Sequence, residues 1–206
     1  MGEDKYKLIY FNVMARAEPI RLIFAAAGVQ YEDYRLEGDN WDTEKTNYPW
    51  GKLPVLEING EVLAESTAIC RYLASKFSLV GSTDLEAAKC DEYVDAIMDC
   101  RSHWRSYYWE SDAAKKEELK NILLNVQVPF YYSKFEKIVE ASKGDYLLGT
   151  NYTWADLHIA HTVSFIDKTV KPGLLDDYPK LKKFSETVFN IPKVKAWIEK
   201  RPKTER

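Results

Sequence analysis

The sequence predicts an α/β domain followed by an all-helical domain. Three observations carry this. Residues 6–77 give strand and helix signals in the order strand, helix, strand, then strand, strand, helix. Beyond residue 84 no strand pattern occurs, only helical periodicity. Between them, residues 78–84 (Ser-Leu-Val-Gly-Ser-Thr-Asp) concentrate the turn-formers of a linker. The predicted boundaries are 1–80 and 85–206. A chain of 206 residues with 46% apolar and 14% aromatic content has ample material for cores in both parts.

The elements follow in order. Tyr6-Lys7-Leu8-Ile9-Tyr10-Phe11 is a short strand. Glu18-Pro19 places a proline in a first helical turn, and Gly28 ends that helix. Ile20, Ile23, Phe24 and Ala27 form its apolar face. Residues 31–36 alternate as a second strand. Strand, helix of roughly ten residues and strand make a βαβ unit with a parallel pair. Residues 38–50, with Trp41 and Trp50, are expected to be irregular. Pro54 lacks a donor and belongs at a strand entry. Leu56 and Ile58 then face one side, Val55 and Glu57 the other. Asn59-Gly60 is a type I′ hairpin signal, because both central positions need φ > 0. Residues 61–64 return antiparallel. Glu65-Ser66 opens a helix with Ile69, Tyr72, Leu73 and Phe77 on its apolar face. This order is that of a thioredoxin-like domain.

In the helical half, one helix is expected over 85–110, with Tyr93, Val94, Ile97 and Cys100 on its stripe. A second runs over 112–142, with Leu119, Ile122, Leu123 and Val126 inward before Pro129, then Phe135, Ile138 and Val139. Pro129 should kink or divide it. A third starts at Thr153-Trp154-Ala155-Asp156, a capping-box spacing with Asp at the third position. It carries Ile159, Val163 and Ile166 inward. Tyr178-Pro179 and Ile191-Pro192 start two more.

Charge and composition exclude several classes. The net charge of −3 argues against nucleic acid or an anionic membrane as main partner. No apolar run approaches the ~20 residues of a membrane span. The stretch Met1-Gly2-Glu3-Asp4-Lys5 has no signal-peptide h-region, and Gly2 lacks the downstream Ser or Thr of a myristoylation signal. Cys70, Cys90 and Cys100 are odd in number and lack CxxC spacing, which fits reduced, mostly buried thiols. Three histidines with no HExxH predict no metal; His158 and His161 read as two helix-face residues.

Glu65-Ser66 combines two kinds of ligand chemistry. The free amides of a helix start and the Ser66 hydroxyl suit an anion, and the Glu65 carboxylate suits a cation. A zwitterionic α-amino acid group carries both charges on one Cα. Extended backbone at Leu53 could pair with a peptide-like ligand. An ordinary N-cap beside a solvated carboxylate accounts for the same two residues.

Several motifs together match a known family. Tyr6-Lys7-Leu8-Ile9-Tyr10-Phe11-Asn12, Arg16-Ala17-Glu18, Gly51-Lys52-Leu53-Pro54-Val55-Leu56-Glu57, Glu65-Ser66-Thr67-Ala68-Ile69-Cys70-Arg71-Tyr72-Leu73, Thr153-Trp154-Ala155-Asp156 and the closing Trp197-Ile198-Glu199-Lys200-Arg201-Pro202 resemble a cytosolic glutathione S-transferase. The detail is similar to the sigma class, which includes invertebrate transferases, glutathione-dependent prostaglandin D synthase and lens S-crystallins. The resemblance implies a thioredoxin-like βαβαββα domain that binds glutathione and an all-α bundle that shapes an electrophile pocket. It implies a cytoplasmic homodimer with glutathione as co-substrate and no metal.

The resemblance also implies roles for individual residues. Tyr10 hydrogen-bonds the glutathione sulfur, and Arg16 supports the thiolate. Trp41, Lys45 and Lys52 hold the glycine end. Leu53, next to a cis Pro54, pairs with the cysteinyl backbone. Glu65 and Ser66 hold the γ-glutamyl group, with Glu65 standing where the class usually has Gln. Asp99 reaches the γ-glutamyl amine of a neighbouring subunit. Met14, Arg101, Trp104, Ser106, His158 and Thr162 are the implied electrophile-pocket residues, near the cluster Tyr107, Tyr108 and Trp109. The implied activity is thiolate attack on electrophilic lipids and xenobiotics, with peroxidase activity beside it. Prostaglandin D isomerisation and a non-catalytic crystallin or ligand-binding role are the alternatives. Ser106 at the approximate place of the synthase's Trp wall weakens the isomerase reading.

Overall fold

Packing divides the chain into two units in the computed structural model, which describes residues 4–204. One unit runs to Leu79 and includes the residues from Ile191 onward; the other is Val80–Asn190. Gly2 lies outside the described residues.

In the first unit, β1 (Tyr6–Phe11) is a central strand of a four-stranded sheet ordered β2-β1-β3-β4. It pairs parallel with β2 (Glu32–Leu36) and antiparallel with β3 (Val55–Ile58), and β3 pairs antiparallel with β4 (Glu61–Ala64). Leu8 stands opposite Leu56, both fully buried. The hairpin turn has the expected positive φ at both positions, 52° at Asn59 and 94° at Gly60. Helix α1 (Glu18–Ala27) ends at Gly28, whose left-handed conformation lets its amide donate to the carbonyls of Phe24 and Ala25.

Three sequence expectations need correction in this unit. Residues 38–50 are only partly irregular: α2 (Trp41–Glu44) is followed by 3₁₀ turns at Lys45–Asn47 and Pro49–Gly51. On α3 (Ser66–Lys76), Ile69 and Leu73 are buried, but Tyr72 is 36% exposed. Helix α1 is buried on nearly all sides rather than along one stripe, because it packs against α3 and against α9 (Pro192–Lys200). By packing, the closing helix groups with the first unit. Glu18, fully buried in α1, fixes it there. Its Oε1 accepts from Trp197 Nε1 at 2.8 Å and from Arg201 at 2.6 Å.

In the second unit, α4 (Asp84–Trp109) starts at Thr83, whose hydroxyl accepts from the Glu86 amide. Val94, Ile97 and Cys100 are fully buried along it. Helix α5 (Ala113–Ile122) passes through a π turn at Leu123–Gln127 into α6 (Val128–Ala141). The expected break at Pro129 takes this form because proline offers no amide hydrogen and crowds the carbonyl four residues back. A wider turn also shifts the phase of the apolar stripe. Val126, expected inward, is 55% exposed, while Val128 is fully buried. Helix α7 (Trp154–Val170) is buried along most of its length, packs against α4, and packs against α8 (Pro179–Phe189). Among the described residues no helix is long and apolar enough to cross a membrane.

Candidate active site

Tyr10 sits near the end of β1, on rigid sheet, and is 7% exposed. Its Oη accepts a hydrogen bond from the Arg16 amide at 3.4 Å. The intervening turn is held from three sides. The Val13 amide donates to the Phe11 carbonyl at 2.7 Å, Arg21 Nη1 donates to the Val13 carbonyl at 2.8 Å, and Arg35 Nη1 donates to Asn12 Oδ1 at 3.0 Å. Because the Tyr10 oxygen is the acceptor in its bond, its hydroxyl hydrogen is left to point at a ligand. Arg16 itself is half-buried at the foot of α1.

An aromatic run leads from Tyr10 into the 41–51 segment. The Tyr10 ring lies 5.6 Å from Phe11, Phe11 meets Trp41 edge-on at 5.0 Å, and Trp41 stacks on Tyr48 at 5.9 Å. These contacts orient Trp41 at the start of α2. Lys45 pairs with Asp42 at 2.9 Å and keeps its side chain 45% exposed. Lys52 is exposed on extended backbone, and the Leu53-Pro54 peptide is cis, as the resemblance implied. Leu53 is half-buried and Pro54 buried against the start of β3.

Glu65 precedes α3 with φ 69° and ψ 114°, outside the comfortable range for a residue with a side chain. Holding such a residue there costs on the order of 1–3 kcal/mol. Its carbonyl accepts the Ile69 amide at 2.9 Å, so the amides of Ser66, Thr67 and Ala68 have no helical acceptor. The Glu65 side chain does not cap them; it is exposed, and Ser66 behind it is 5% exposed. Asp99 stands exposed on α4 of the second unit.

The implied electrophile residues divide by burial. Met14 belongs to the first unit and is 9% exposed. In the second unit, Ser106 is exposed and shares an open groove of about 360 Å³ with Ser102, Arg105 and Trp109. Arg101, Trp104, His158 and Thr162 are buried in helix packing instead. The Arg101 guanidinium lies 4.6 Å from the Phe165 ring centre, Trp104 Nε1 donates to Thr169 Oγ1 at 3.0 Å, and Thr162 Oγ1 donates to the His158 carbonyl at 2.9 Å. Among the described residues no group of three or more His, Cys, Asp or Glu side chains is placed to hold a metal ion.

Sequence reasoning missed the buried charge network behind the site. Arg21, with no exposure, donates to Asp33 at 3.0 Å and to Glu18 at 3.3 Å as well as to Val13. The i, i+3 spacing of Glu18 and Arg21 was the available signal. Trp50, named on sequence only as part of the 38–50 stretch, is 78% exposed at φ 58°.

All three cysteines are buried, and burial pushes their pKa values up, to about 12 for Cys100.

Comparison with known proteins agrees. Residues 6–75 match the family model described as glutathione S-transferase, N-terminal domain, and residues 98–201 match the one described as glutathione S-transferase, C-terminal domain. Hematopoietic prostaglandin D synthase of Mus musculus is 42% identical over 204 residues, covering 97% of this chain and 98% of that protein. Glutathione S-transferase 1 of Ascaris suum is 37% identical over 203 residues, again covering 97% and 98%. The solved structure of prostaglandin synthase D of Nilaparvata lugens superposes with a TM-score of 0.91 at 40% identity, over 97% of this chain and 100% of that one. With both domain models matched and relatives aligned nearly end to end, this chain belongs to the glutathione S-transferase family.

Proposed function

We propose that Tyr10 activates the thiol of glutathione, the family's co-substrate, by donating its hydroxyl hydrogen to the sulfur. The observation that carries this is the Arg16 amide donating to Tyr10 Oη at 3.4 Å. An oxygen that already accepts a hydrogen bond is a stronger donor, and the accepted bond fixes where its own hydrogen points. A free thiol with pKa ~8.5 is only a few per cent thiolate at neutral pH. Lowering that value by ~2 pH units needs about 2.7 kcal/mol of preference for the anion. One hydrogen bond to a charged group supplies roughly 1.5–3 kcal/mol, so one hydroxyl is the right size. The sulfhydryl proton leaves to solvent and the sulfur bonds to an electrophilic carbon, where the electron pair of the broken bond departs with the halide of an aryl halide or, in an unsaturated carbonyl, moves from the carbon–carbon π bond to be protonated by solvent.

The remaining roles follow the charges. The open amides before α3 and the Ser66 hydroxyl receive the γ-glutamyl carboxylate, and Glu65 receives the ammonium. The strained backbone at Glu65 is consistent with a position held for a ligand. Trp41, Lys45 and Lys52 take the glycine end, Leu53 beside Pro54 takes the cysteinyl backbone, and Arg16 adds positive charge near the sulfur. In the electrophile set, exposed Ser106 is a contact residue and Met14 lines the approach. Buried Arg101, Trp104, His158 and Thr162 act through their packing. Asp99 of a second copy completes the γ-glutamyl site, which makes the working form a cytoplasmic homodimer.

Conjugation of glutathione to a chromogenic aryl halide tests the mechanism. Tyr10→Phe should lower kcat about 100-fold with glutathione affinity kept. Undiminished turnover would mean that Tyr10 is not the sulfur's partner. For the dimer-completed site, Asp99→Ala should weaken glutathione binding; unchanged affinity would remove Asp99 from it.

A second reading, glutathione-dependent prostaglandin D isomerisation, is favoured by the 42% identity to the mouse protein of that name. It uses the same thiolate but returns it after rearranging the endoperoxide. Incubation with a prostaglandin endoperoxide decides it: no D-type product above the spontaneous yield excludes it.

A further inference from the structure

We propose that α9 sets the direction of the Tyr10 hydroxyl from a distance. Trp197 and Arg201 hold Glu18, Glu18 holds Arg21, and Arg21 holds both the Tyr10 ring and the turn that carries the Arg16 amide. These four are positioning residues for the thiol chemistry, and none is among the residues assigned above to glutathione or to the electrophile. All belong to the first unit. The role rests on the reading above that Tyr10 donates to the glutathione sulfur.

The contacts are continuous. Trp197 Nε1 and Arg201 Nη1 donate to Glu18 Oε1 at 2.8 Å and 2.6 Å. Glu18 Oε2 accepts from Arg21 Nη1 at 3.3 Å. The same Nη1 donates to the Val13 carbonyl at 2.8 Å, and the guanidinium carbon lies 6.0 Å from the centre of the Tyr10 ring. A second branch leaves Arg21 through its Nε, which donates to Asp33 Oδ1 at 3.0 Å. Asp33 Oδ2 accepts from Arg35 Nε at 2.9 Å, and Arg35 Nη1 donates to Asn12 Oδ1 at 3.0 Å. Asn12 and Val13, the first two residues after β1, are thus gripped by one network whose far end is α9.

Three features make the far end felt at Tyr10. Glu18 and Arg21 have no exposure, so water does not replace a lost partner. With a donor from α9 removed, the Glu18 carboxylate turns toward the partners it keeps, and Arg21 is one of them. The turn itself is strained: Ala15 stands at φ 32°, a conformation that persists only where neighbours impose it. The Arg16 amide reaches Tyr10 Oη at 3.4 Å, past the common range for such a bond. A bond that long is lost when the turn moves by a few tenths of an ångström, and the hydroxyl hydrogen then has no fixed direction.

The test is the pH dependence of glutathione conjugation to a chromogenic aryl halide at saturating glutathione, with the thiolate absorbance of bound glutathione titrated in parallel. Arg201→Met removes the charge, Arg201→Lys restores it, and Trp197→Phe keeps the ring while removing its donor. The thiolate midpoint should rise by about 1 pH unit in Arg201→Met, about half the effect expected of Tyr10, rise less in Trp197→Phe, and recover partly in Arg201→Lys. In Arg201→Met, kcat should fall about fivefold near pH 6.5 and approach that of the intact protein near pH 8.5, with KM for glutathione kept. A variant that has only lost stability loses turnover at every pH alike. Combined with Tyr10→Phe, the α9 substitutions should shift the midpoint no further. The proposal is overturned if Tyr10→Phe raises the midpoint while the α9 variants leave it unchanged, if their turnover falls equally at all pH values, or if they shift the midpoint as far without Tyr10 as with it. If Tyr10→Phe alone leaves the midpoint low, the role of Tyr10 fails and that of α9 falls with it, a result that this single variant tells apart from the others.

Discussion

Helices α3 and α7 begin in opposite ways. At α7 every oxygen of the capping carboxylate is used inside the protein. The Thr153 amide and Oγ1 each donate to Asp156 Oδ2 at 2.7 Å, the Leu147 amide donates to Oδ1 at 2.8 Å, and Asp156 has no exposure. Burial pushes its carboxyl pKa up, and these bonds pull against that. At α3 the preceding carboxylate, Glu65, faces solvent, its backbone is strained, and no side chain caps the leading amides. A helix start closed by its own chain holds structure together. A helix start kept open at the expense of strain is available for a ligand. Mutating each end should therefore change different quantities.

The largest effect should come from the closed end. Asp156→Ala orphans three buried donors and should cost about 3 kcal/mol or more in denaturant unfolding, with Asp156→Asn costing less because one acceptor remains. A loss below about 1 kcal/mol would break the contrast. At the open end, Ser66→Ala should weaken glutathione binding about tenfold by calorimetry while changing stability by less than about 1 kcal/mol. Glu65→Gly sharpens the comparison further. Glycine accepts positive φ, so stability should rise by about 0.5–1 kcal/mol while glutathione affinity falls. A variant that gained stability and kept full affinity would show that the strain serves nothing at this site.

A smaller, distributed effect concerns pH. Cys70, Cys90 and Cys100 have folded pKa values raised above the ordinary value of 9.0 by burial. Their contribution to stability is fully present below about pH 9 and is lost as pH rises toward the folded values, because the unfolded chain releases protons that the folded chain keeps. Stability should fall steadily from about pH 9 upward, and native protein at pH 8 should react with a thiol reagent only as fast as it unfolds. Rapid labelling of a cysteine in the folded state would contradict its burial.

Much of this fold was legible in the sequence because its signals are local. Pro19 and Gly28 marked the ends of α1, Asn59-Gly60 marked the hairpin, and Thr153 with Asp156 marked α7. What escaped depends on distant partners or on phase. Nothing local to Pro192–Lys200 says that Trp197 and Arg201 will meet Glu18, almost the whole chain away. The π turn at Leu123–Gln127 redirects Val126 outward without any change in its apolar character. The site was legible mainly through resemblance. Tyr10 is one of fourteen tyrosines, and periodicity alone reads it as a packing residue at a strand end. The buried network of Glu18, Arg21 and Asp33 was not read, because charges at helical spacing ordinarily sit in solvent.

In the mechanism proposed above a single hydroxyl, oriented by the Arg16 amide, holds glutathione as its thiolate. The most direct measurement is the pH titration of thiolate ultraviolet absorbance for glutathione bound to the protein, compared with bound glutathione in Tyr10→Phe. The expected midpoint lies about 2 pH units below that of free glutathione for the intact protein and returns most of the way to the free value in the variant. A midpoint that stays low in Tyr10→Phe would contradict it and assign the stabilisation to other groups of the site.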